Sequence, residues 1–227
     1  MDLIKQFIKS VKKFKVIWIV VLIVAVMGIL SRLDWEKKKD LEYSESLDVV
    51  LATVEDTNIT LRDFAIYVAY QEAEVESQAI IYDSENPKKY WGLHTNGKFF
   101  KYIARDEAVS MAVHDRLFYV LSKDLNITLS EEETTYLNNS VEDFWSDLTD
   151  EGKEKRLGIE KQDVYNVMEQ IAIAEKSQTI YAAMNGLDYE DYDFSKEEFL
   201  SFLEDYEYEV IENVLKRLDF GNITIER

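Results

Sequence analysis

Apolar residues recur at helical spacing along most of the chain after residue 60. Leu61, Phe64, Val68 and Val75 share one face, and this spacing predicts a helix over residues 60–82. The same pattern predicts four further helices, over residues 99–125, 130–148, 160–184 and 195–218. The chain contains only one proline and seven glycines, so the residues that usually interrupt helices are scarce. We therefore predict a mainly α-helical fold with about five helices.

Short motifs mark where these helices begin and where they are interrupted. Three pairs have the spacing of a capping box: Thr60 with Asp63, Ser130 with Glu133, and Ser195 with Glu198. Residues 48–54 are rich in β-branched side chains and predict a first strand, followed by a turn at residues 55–58. Residues 222–225 predict a short terminal strand.

The first 33 residues have a different pattern. Five lysines and one acid within residues 1–15 precede an uninterrupted apolar run, residues 16–30, which Ser31 and Arg32 close. Lysines before an apolar segment hold that side in the cytoplasm, so we expect the chain after Arg32 to be exported. The predicted segments are a cytoplasmic basic tail (1–15), a transmembrane signal anchor (16–33) flanked by Lys15 and Arg32, a juxtamembrane linker helix (34–46) and an exported domain (47–227).

Two interpretations of the apolar segment stay open, a cleaved signal peptide and a retained anchor. Cleavage needs small residues just before the cut, and residues 24–31 place bulky side chains at most of these positions. The apolar run is shorter than the roughly 20 residues that cross a bilayer comfortably, but Lys15 and Arg32 can snorkel and lengthen the span. We favour a single-pass protein of the cell membrane, with a cytoplasmic N-terminus and an extracellular C-terminal domain.

The charge distribution argues against a nucleic-acid partner. Of the 26 Lys/Arg and 45 Asp/Glu residues, nine and three lie in residues 1–39, which leaves 17 basic and 42 acidic residues in the other 188. Nucleic-acid phosphates require a basic surface, and this part of the chain has a net charge of −25. Such a field keeps a protein soluble and favours basic partners.

The residues that usually carry chemistry are few. No cysteine is present, which removes disulfides, thiolate nucleophiles and cysteine zinc sites, and His94 and His114 form no metal-binding motif. The run from Asp191 begins like an EF-hand loop, but it has Lys196 where that loop needs glycine and Phe202 where it needs glutamate. No Gly-x-Ser-x-Gly motif occurs. We expect no enzymatic activity, no catalytic residue, no metal or other cofactor, and no small-molecule substrate.

Aromatic residues concentrate in and after the main irregular segment, residues 83–97. They could line a groove for unfolded peptides, or they could seal the core where this segment docks. The core interpretation is favoured for Phe99 and Tyr102, whereas neither is favoured for Tyr90 and Trp91. The candidate peptide-binding residues are Tyr90, Trp91, Phe99, Phe100 and Tyr102.

Five stretches, in this order, carry a family resemblance: 49–54 with 59–64, 90–91 with 97–103, 126–133, 157–164 and 223–225. Together they resemble the N-terminal domain of the SurA family of extracytoplasmic chaperones and its Gram-positive relatives, including the PrsA-like lipoproteins. The resemblance covers residues 47–227 and implies that the terminal strand returns to pair with the first. Members of this family often carry a parvulin-type prolyl isomerase domain, for which this chain has no room, so only the chaperone-like module carries over.

The sequence therefore predicts a membrane-tethered, extracytoplasmic module that binds unfolded or extended segments of exported polypeptides. The alternative is a scaffold subunit of a cell-envelope complex that binds one defined partner. The two functions differ in selectivity, because a chaperone binds many unrelated unfolded chains weakly and a scaffold binds one partner tightly.

Overall fold

The computed structural model describes residues 40–225. The basic tail, the predicted transmembrane segment 16–33 and its flanks Lys15 and Arg32 lie outside the described residues. Within 40–225, no helix combines the length and the apolarity that a membrane crossing requires. This part of the chain is mainly α-helical with small antiparallel sheets, and the predicted fold class is confirmed at this level.

Eight α-helices and two 3₁₀ turns occur in residues 40–225. The helices are α1 Leu61–Tyr82, α2 Lys88–Trp91, α3 Phe100–Asp124, α4 Glu131–Asp150, α5 Lys153–Leu157, α6 Lys161–Asn185, α7 Glu197–Leu203 and α8 Glu212–Leu215. The 3₁₀ turns are Tyr43–Glu45 and Tyr189–Tyr192. Helix α3 packs against both α1 and α6, and α4 packs against α6.

The four long helices α1, α3, α4 and α6 match four of the five predicted ones. Thr60 caps α1: its side chain accepts from the Asp63 N–H, and the Asp63 carboxylate accepts from the Thr60 N–H at 3.0 Å. Ser130 and Glu133 form the same reciprocal pair at the start of α4. These two predicted capping boxes are confirmed, because the interactions that make them are local in sequence.

The predicted fifth helix is wrong beyond Leu203. Helix α7 begins after Lys196 with no side-chain cap, so the predicted capping box of Ser195 and Glu198 does not form. The chain then forms a strand, Tyr208–Val210, where the prediction continued the helix. Tyr and Val favour extended structure, and backbone hydrogen bonds to the free edge of a neighbouring strand outweigh a weak helical pattern.

In the part of the chain that the structure describes, five short strands form two antiparallel sheets. They are β1 Val50–Val54, β2 Thr57–Thr60, β3 His94–Thr95, β4 Lys98–Phe99 and β5 Tyr208–Val210. The larger sheet has the order β2-β1-β5, and β3 with β4 forms a small hairpin. The first strand therefore pairs with the last strand of the described chain, with Ala52 opposite Val210, but also with β2. The predicted turn at residues 55–58 is shorter than expected, since Thr57 already belongs to β2.

The predicted terminal strand at residues 222–225 is wrong. These residues form bends, and the backbone N–H groups of Ile223 and Thr224 are directed at the carboxylate of Glu72 on α1, as is that of the preceding Gly221. Gly221 and Ile223 donate to Oε1 at 2.6 and 3.2 Å, and Thr224 donates to Oε2 through both its N–H and its hydroxyl at 2.6 Å. Pairing with β1 as a strand would need the same backbone N–H groups that here donate to Glu72.

Glu72 is fully buried. Burial raises the pKa of its carboxyl, and the hydrogen bonds from Thr224, Gly221 and Ile223 act in the opposite direction. Next to this contact, Gly221 has φ +89° and lies against the ring of Trp91, which a Cβ would approach to 2.7 Å. The end of the described chain is thus fixed by a carboxylate and by a glycine that no other residue can replace without strain.

The segment that precedes β1 packs on the same core. Of the predicted linker helix 34–46, residues 40–46 are described, and they contain the single 3₁₀ turn Tyr43–Glu45. Tyr43 is buried and its hydroxyl donates to the carbonyl of Leu61 at 2.7 Å, while the Leu41 N–H donates to the carbonyl of Arg217. Burial, with the charges of Glu72 and Asp63, raises the pKa of Tyr43 well above its ordinary value.

We expect Glu72→Gln to lower the free energy of unfolding of the 40–227 fragment by about 1–3 kcal/mol, because the amide would place an NH₂ group against N–H donors that need an acceptor. Urea unfolding monitored by circular dichroism measures this. Glu74→Gln is the matched control, since Glu74 is exposed on the same helix, and we expect it to stay within about 0.5 kcal/mol of the wild type. Equal stability of the two variants would contradict this role of Glu72.

Candidate functional site

A cleft of about 1230 Å³ opens between helices α1, α3, α4 and α6. Helix α1 packs on α3, and α4 packs on α6, so the two outer helices stand on opposite sides of the cleft. We call this space the central cleft; the apolar residues of its walls include Ile66, Met111, Leu129, Phe144, Met168 and Ile171.

Tyrosines form the rim of the central cleft. Tyr136 of α4 is 75% exposed and Tyr70 of α1 is 51% exposed, and both line the cleft. Tyr136 directly precedes Leu137, which is buried with Val141 and Leu148 on the inner face of α4. An exposed aromatic ring beside an apolar cleft is typical of a surface that contacts another molecule.

A polar cluster closes one end of the central cleft. The Tyr67 hydroxyl donates to Asp115 Oδ2 at 3.0 Å, and His114 Nδ1 lies 2.7 Å from Asp115 Oδ1. His114 Nε2 lies 2.9 Å from the carbonyl oxygen of Tyr192, which can only accept, so Nε2 is the donor. Burial, followed by the charge of Asp115, raises the pKa of Tyr67 well above its ordinary value.

Both ring nitrogens of His114 are therefore occupied. Its ring also packs against Phe199 and Phe118, with centroids 4.7 and 5.0 Å apart. A general base needs a free ring nitrogen that can reach a substrate proton, and His114 has none in this arrangement. The pair of His114 and Asp115 fastens the 3₁₀ turn Tyr189–Tyr192 to α3.

Carboxylates surround the same end of the cleft. The side chain of Glu175 on α6 is accessible from the cleft, but protein atoms surround much of it. This partial loss of water raises the pKa of its carboxyl, and the charge of Asp115 raises it further, while His114 lowers it. Burial raises the pKa of Tyr189 to about 12, with further contributions from the charges of Glu175, Asp115 and Asp193. These three carboxylates therefore act on one phenol.

Gln178 lies beside this acidic end. It is 1% exposed and lines the cleft, and its Nε2 donates to the carbonyl of Tyr189 at 3.0 Å. Its Oε1 is buried and accepts no hydrogen bond from the residues that the structure describes. A buried acceptor without a donor is uncommon, because it has lost water and gained nothing in return.

An ion pair in the lining of the cleft joins α4 to α6. Lys176 Nζ lies 2.7 and 2.9 Å from the two carboxylate oxygens of Glu133 and 3.1 Å from the carbonyl oxygen of Thr128. The hydrogen bond from Lys176, together with those from Ser130, lowers the pKa of Glu133 to about 2. The same carboxylate thus caps α4 and holds it to α6.

The predicted aromatic residues divide into a buried part and an exposed part. Trp91 is buried, and its indole N–H donates to Glu76 at 3.0 Å. Tyr90 is half-buried, with its ring centroid 4.4 Å from that of half-buried Phe100, and its hydroxyl donates to Gln78. These three residues pack the irregular segment onto α1 and α3.

Phe99 and Tyr102 are both exposed, although a position in the core was the favoured prediction for them. Their ring centroids are 6.0 Å apart, and the cations of Lys101 and Arg105 each lie 5.0 Å from the Tyr102 ring. A smaller cleft of about 410 Å³ is lined by Lys88, Phe99, Lys101 and Tyr102 among others. We call Lys88, Phe99, Lys101 and Tyr102 the hairpin surface. None of its residues lines the central cleft.

The central cleft is not visible in the sequence. Its walls come from helices that are far apart in sequence, whereas the aromatic cluster was visible because its members are adjacent. Tyr136 could have been recognised from the sequence, because it lies outside the apolar face of a polar helix, and an aromatic residue at such a position indicates an exposed contact surface. Among residues 40–225, no group of three or more His, Asp and Glu side chains is arranged to hold a metal ion.

Comparison of the chain with protein-family models, with curated proteins and with solved structures finds no match.

We expect Glu133 to titrate with a midpoint near pH 2 in the folded chain, below its ordinary 4.5, as measured from its carboxyl ¹³C resonance by NMR. A folded-state pKa below the unfolded one stabilises the fold above about pH 4.5, and this contribution is lost as the pH falls toward 2. Lys176→Met should raise the midpoint.

Lys161→Met is the control for that titration, because Lys161 forms the other ion pair between α6 and α4, with Glu142. It should leave the Glu133 midpoint unchanged. A Glu133 midpoint that stays near 4.5 in the wild type would contradict the assigned ion pair.

Proposed function

We propose that the chain is a chaperone-like module that binds apolar segments of other polypeptides in the central cleft. The observation that carries the proposal is the cleft itself, about 1230 Å³ in volume and lined mainly by apolar and tyrosine side chains. Pockets for small ligands are usually about 300–1,000 Å³. A larger, open cleft between four helices suits a polypeptide segment better.

The lining side chains also suit varied sequences. Met111 and Met168 are unbranched and polarizable, so they can adapt to side chains of different shape. Tyr70 and Tyr136 offer large amphipathic rings at a low cost in conformational entropy. A site of this composition binds many apolar segments weakly rather than one tightly.

The predicted anchor at residues 16–33 would determine where in the cell this function takes place. A retained anchor would hold the cleft close to the outer surface of the cell membrane, where exported chains emerge unfolded. Tethering would raise the local concentration of the cleft for such chains without any additional contact. The mechanism that we propose is transient capture without covalent chemistry and without prolyl isomerisation.

The second candidate function is a scaffold that binds one defined partner. The hairpin surface supports it, since residues 88–105 contain five Lys/Arg and no Asp/Glu in an otherwise acidic chain. Its exposed Phe99 and Tyr102 are among the predicted peptide-binding residues, and a folded partner with an acidic surface would suit them. This function uses a different face from the central cleft.

We expect the full chain, in nanodiscs of zwitterionic lipid, to slow the aggregation of several unrelated unfolded proteins, as measured by light scattering. Replacing Tyr70 and Tyr136 together by alanine should raise the amount of chain needed for the same effect about tenfold, the size expected when two aromatic contacts of a binding site are removed. Empty nanodiscs provide the baseline.

The double variant Phe99→Ala with Tyr102→Ala is the matched control, because it also removes two exposed aromatic rings. It should behave as the wild type. Loss of activity in this control alone would move the binding site to the hairpin surface. Protection of no client by the wild type would exclude general chaperone activity and favour the scaffold, for which a pull-down of a single partner is the next test.

A further inference from the structure

The charged residues that line the central cleft are mostly acidic. The lining contains the carboxylates of Asp115, Glu132, Glu133, Glu175 and Asp193. Its lysine is Lys176, and the carboxylate of Glu133 already holds that ammonium group. A segment that enters the cleft therefore meets an excess of negative charge.

Three of these carboxylates, those of Glu132, Glu175 and Asp193, are not held in an ion pair by any residue from 40 to 225. Asp115, in contrast, receives hydrogen bonds from Tyr67 and lies against His114. Glu175 and Asp193 both act on the hydroxyl of Tyr189, so they lie at the same end of the cleft.

Gln178 is an independent sign that this end is incomplete. Gln178 lines the cleft, and its buried Oε1 has no donor among the residues that the structure describes. The rings of Tyr70 and Tyr189 line the cleft as well, and aromatic faces attract cations. Carboxylates, an amide oxygen without a donor and tyrosine rings together suit an ammonium or guanidinium group.

From this arrangement we infer that the segment bound in the central cleft carries a lysine or arginine beside its apolar residues, and that Glu175 binds this cation. The inference rests on the proposed function, whose site it shares. The apolar side chains of the segment would lie on Met168, Ile171 and Phe144. The occupant is thus a basic, apolar polypeptide segment, and charge complementarity distinguishes it from a neutral or acidic one.

The test uses the full chain in nanodiscs of zwitterionic lipid and three short fluorescent peptides. The peptides share the same apolar residues and differ at one central position, which is lysine, glutamine or glutamate. Fluorescence anisotropy should show the lysine peptide binding about fivefold more tightly than the glutamine peptide, as expected for one partly screened ion pair, and the glutamate peptide binding most weakly. Added salt should reduce the preference for lysine.

Glu175→Gln separates charge from shape, because the amide keeps the size of the side chain. This variant should bind the lysine peptide about fivefold more weakly than the wild type does, and it should bind the glutamine peptide with unchanged affinity. Glu197→Gln removes one exposed acid outside the cleft and should change neither affinity.

The outcomes distinguish the inference from the function on which it rests. Equal binding of the lysine and glutamine peptides would overturn the inference and leave apolar binding intact. Equal weakening of both peptides by Glu175→Gln would also overturn it, since the residue would then act through structure. Binding of no peptide would overturn both, and a concentration-dependent dimer that Ile171→Asp dissociates would assign the cleft to a second copy of the chain.

Discussion

The buried carboxylate of Glu72 is the constraint on which the rest of the fold depends. It lies in the middle of α1 and forms no ion pair within the described residues, so its charge is stabilised by donors that come from residues 221–224. A buried charge without such donors would cost several kcal/mol. The end of the described chain must therefore return across α1, which places Gly221 against Trp91 and fixes the irregular segment on the core.

The central cleft is a consequence of how the long helices are held apart. Helix α3 contacts both α1 and α6, whereas α4 contacts α6 and stands away from α1. Polar contacts in its lining hold these elements in place: His114, paired with Asp115, fastens the 3₁₀ turn Tyr189–Tyr192 to α3, and the ion pair of Lys176 with Glu133 holds α4 to α6.

The parts of the fold that depend on neighbouring residues could be predicted from the sequence, and the parts that depend on distant residues could not. Thr60 and Ser130 each form their capping box within one helical turn, so their helices were identified with nearly correct bounds. Tyr208–Val210 became a strand because β1 offered a free edge more than 150 residues earlier in the chain. The site follows the same rule: the exposed rings of the hairpin surface were visible as a cluster in the sequence, whereas Tyr136 and Glu175 come to line one cleft only in the folded chain.

The central claim is that apolar polypeptide segments bind in the central cleft, and photo-crosslinking tests it most directly. A photo-reactive amino acid would replace Tyr136 in the full chain, or Tyr102 for comparison, and an unfolded client would be added before illumination. We predict efficient crosslinks to the client from position 136 and few from position 102, with the attached client peptides apolar and basic by mass spectrometry. Crosslinks from position 102 alone, or equal yields from both positions, would contradict the account.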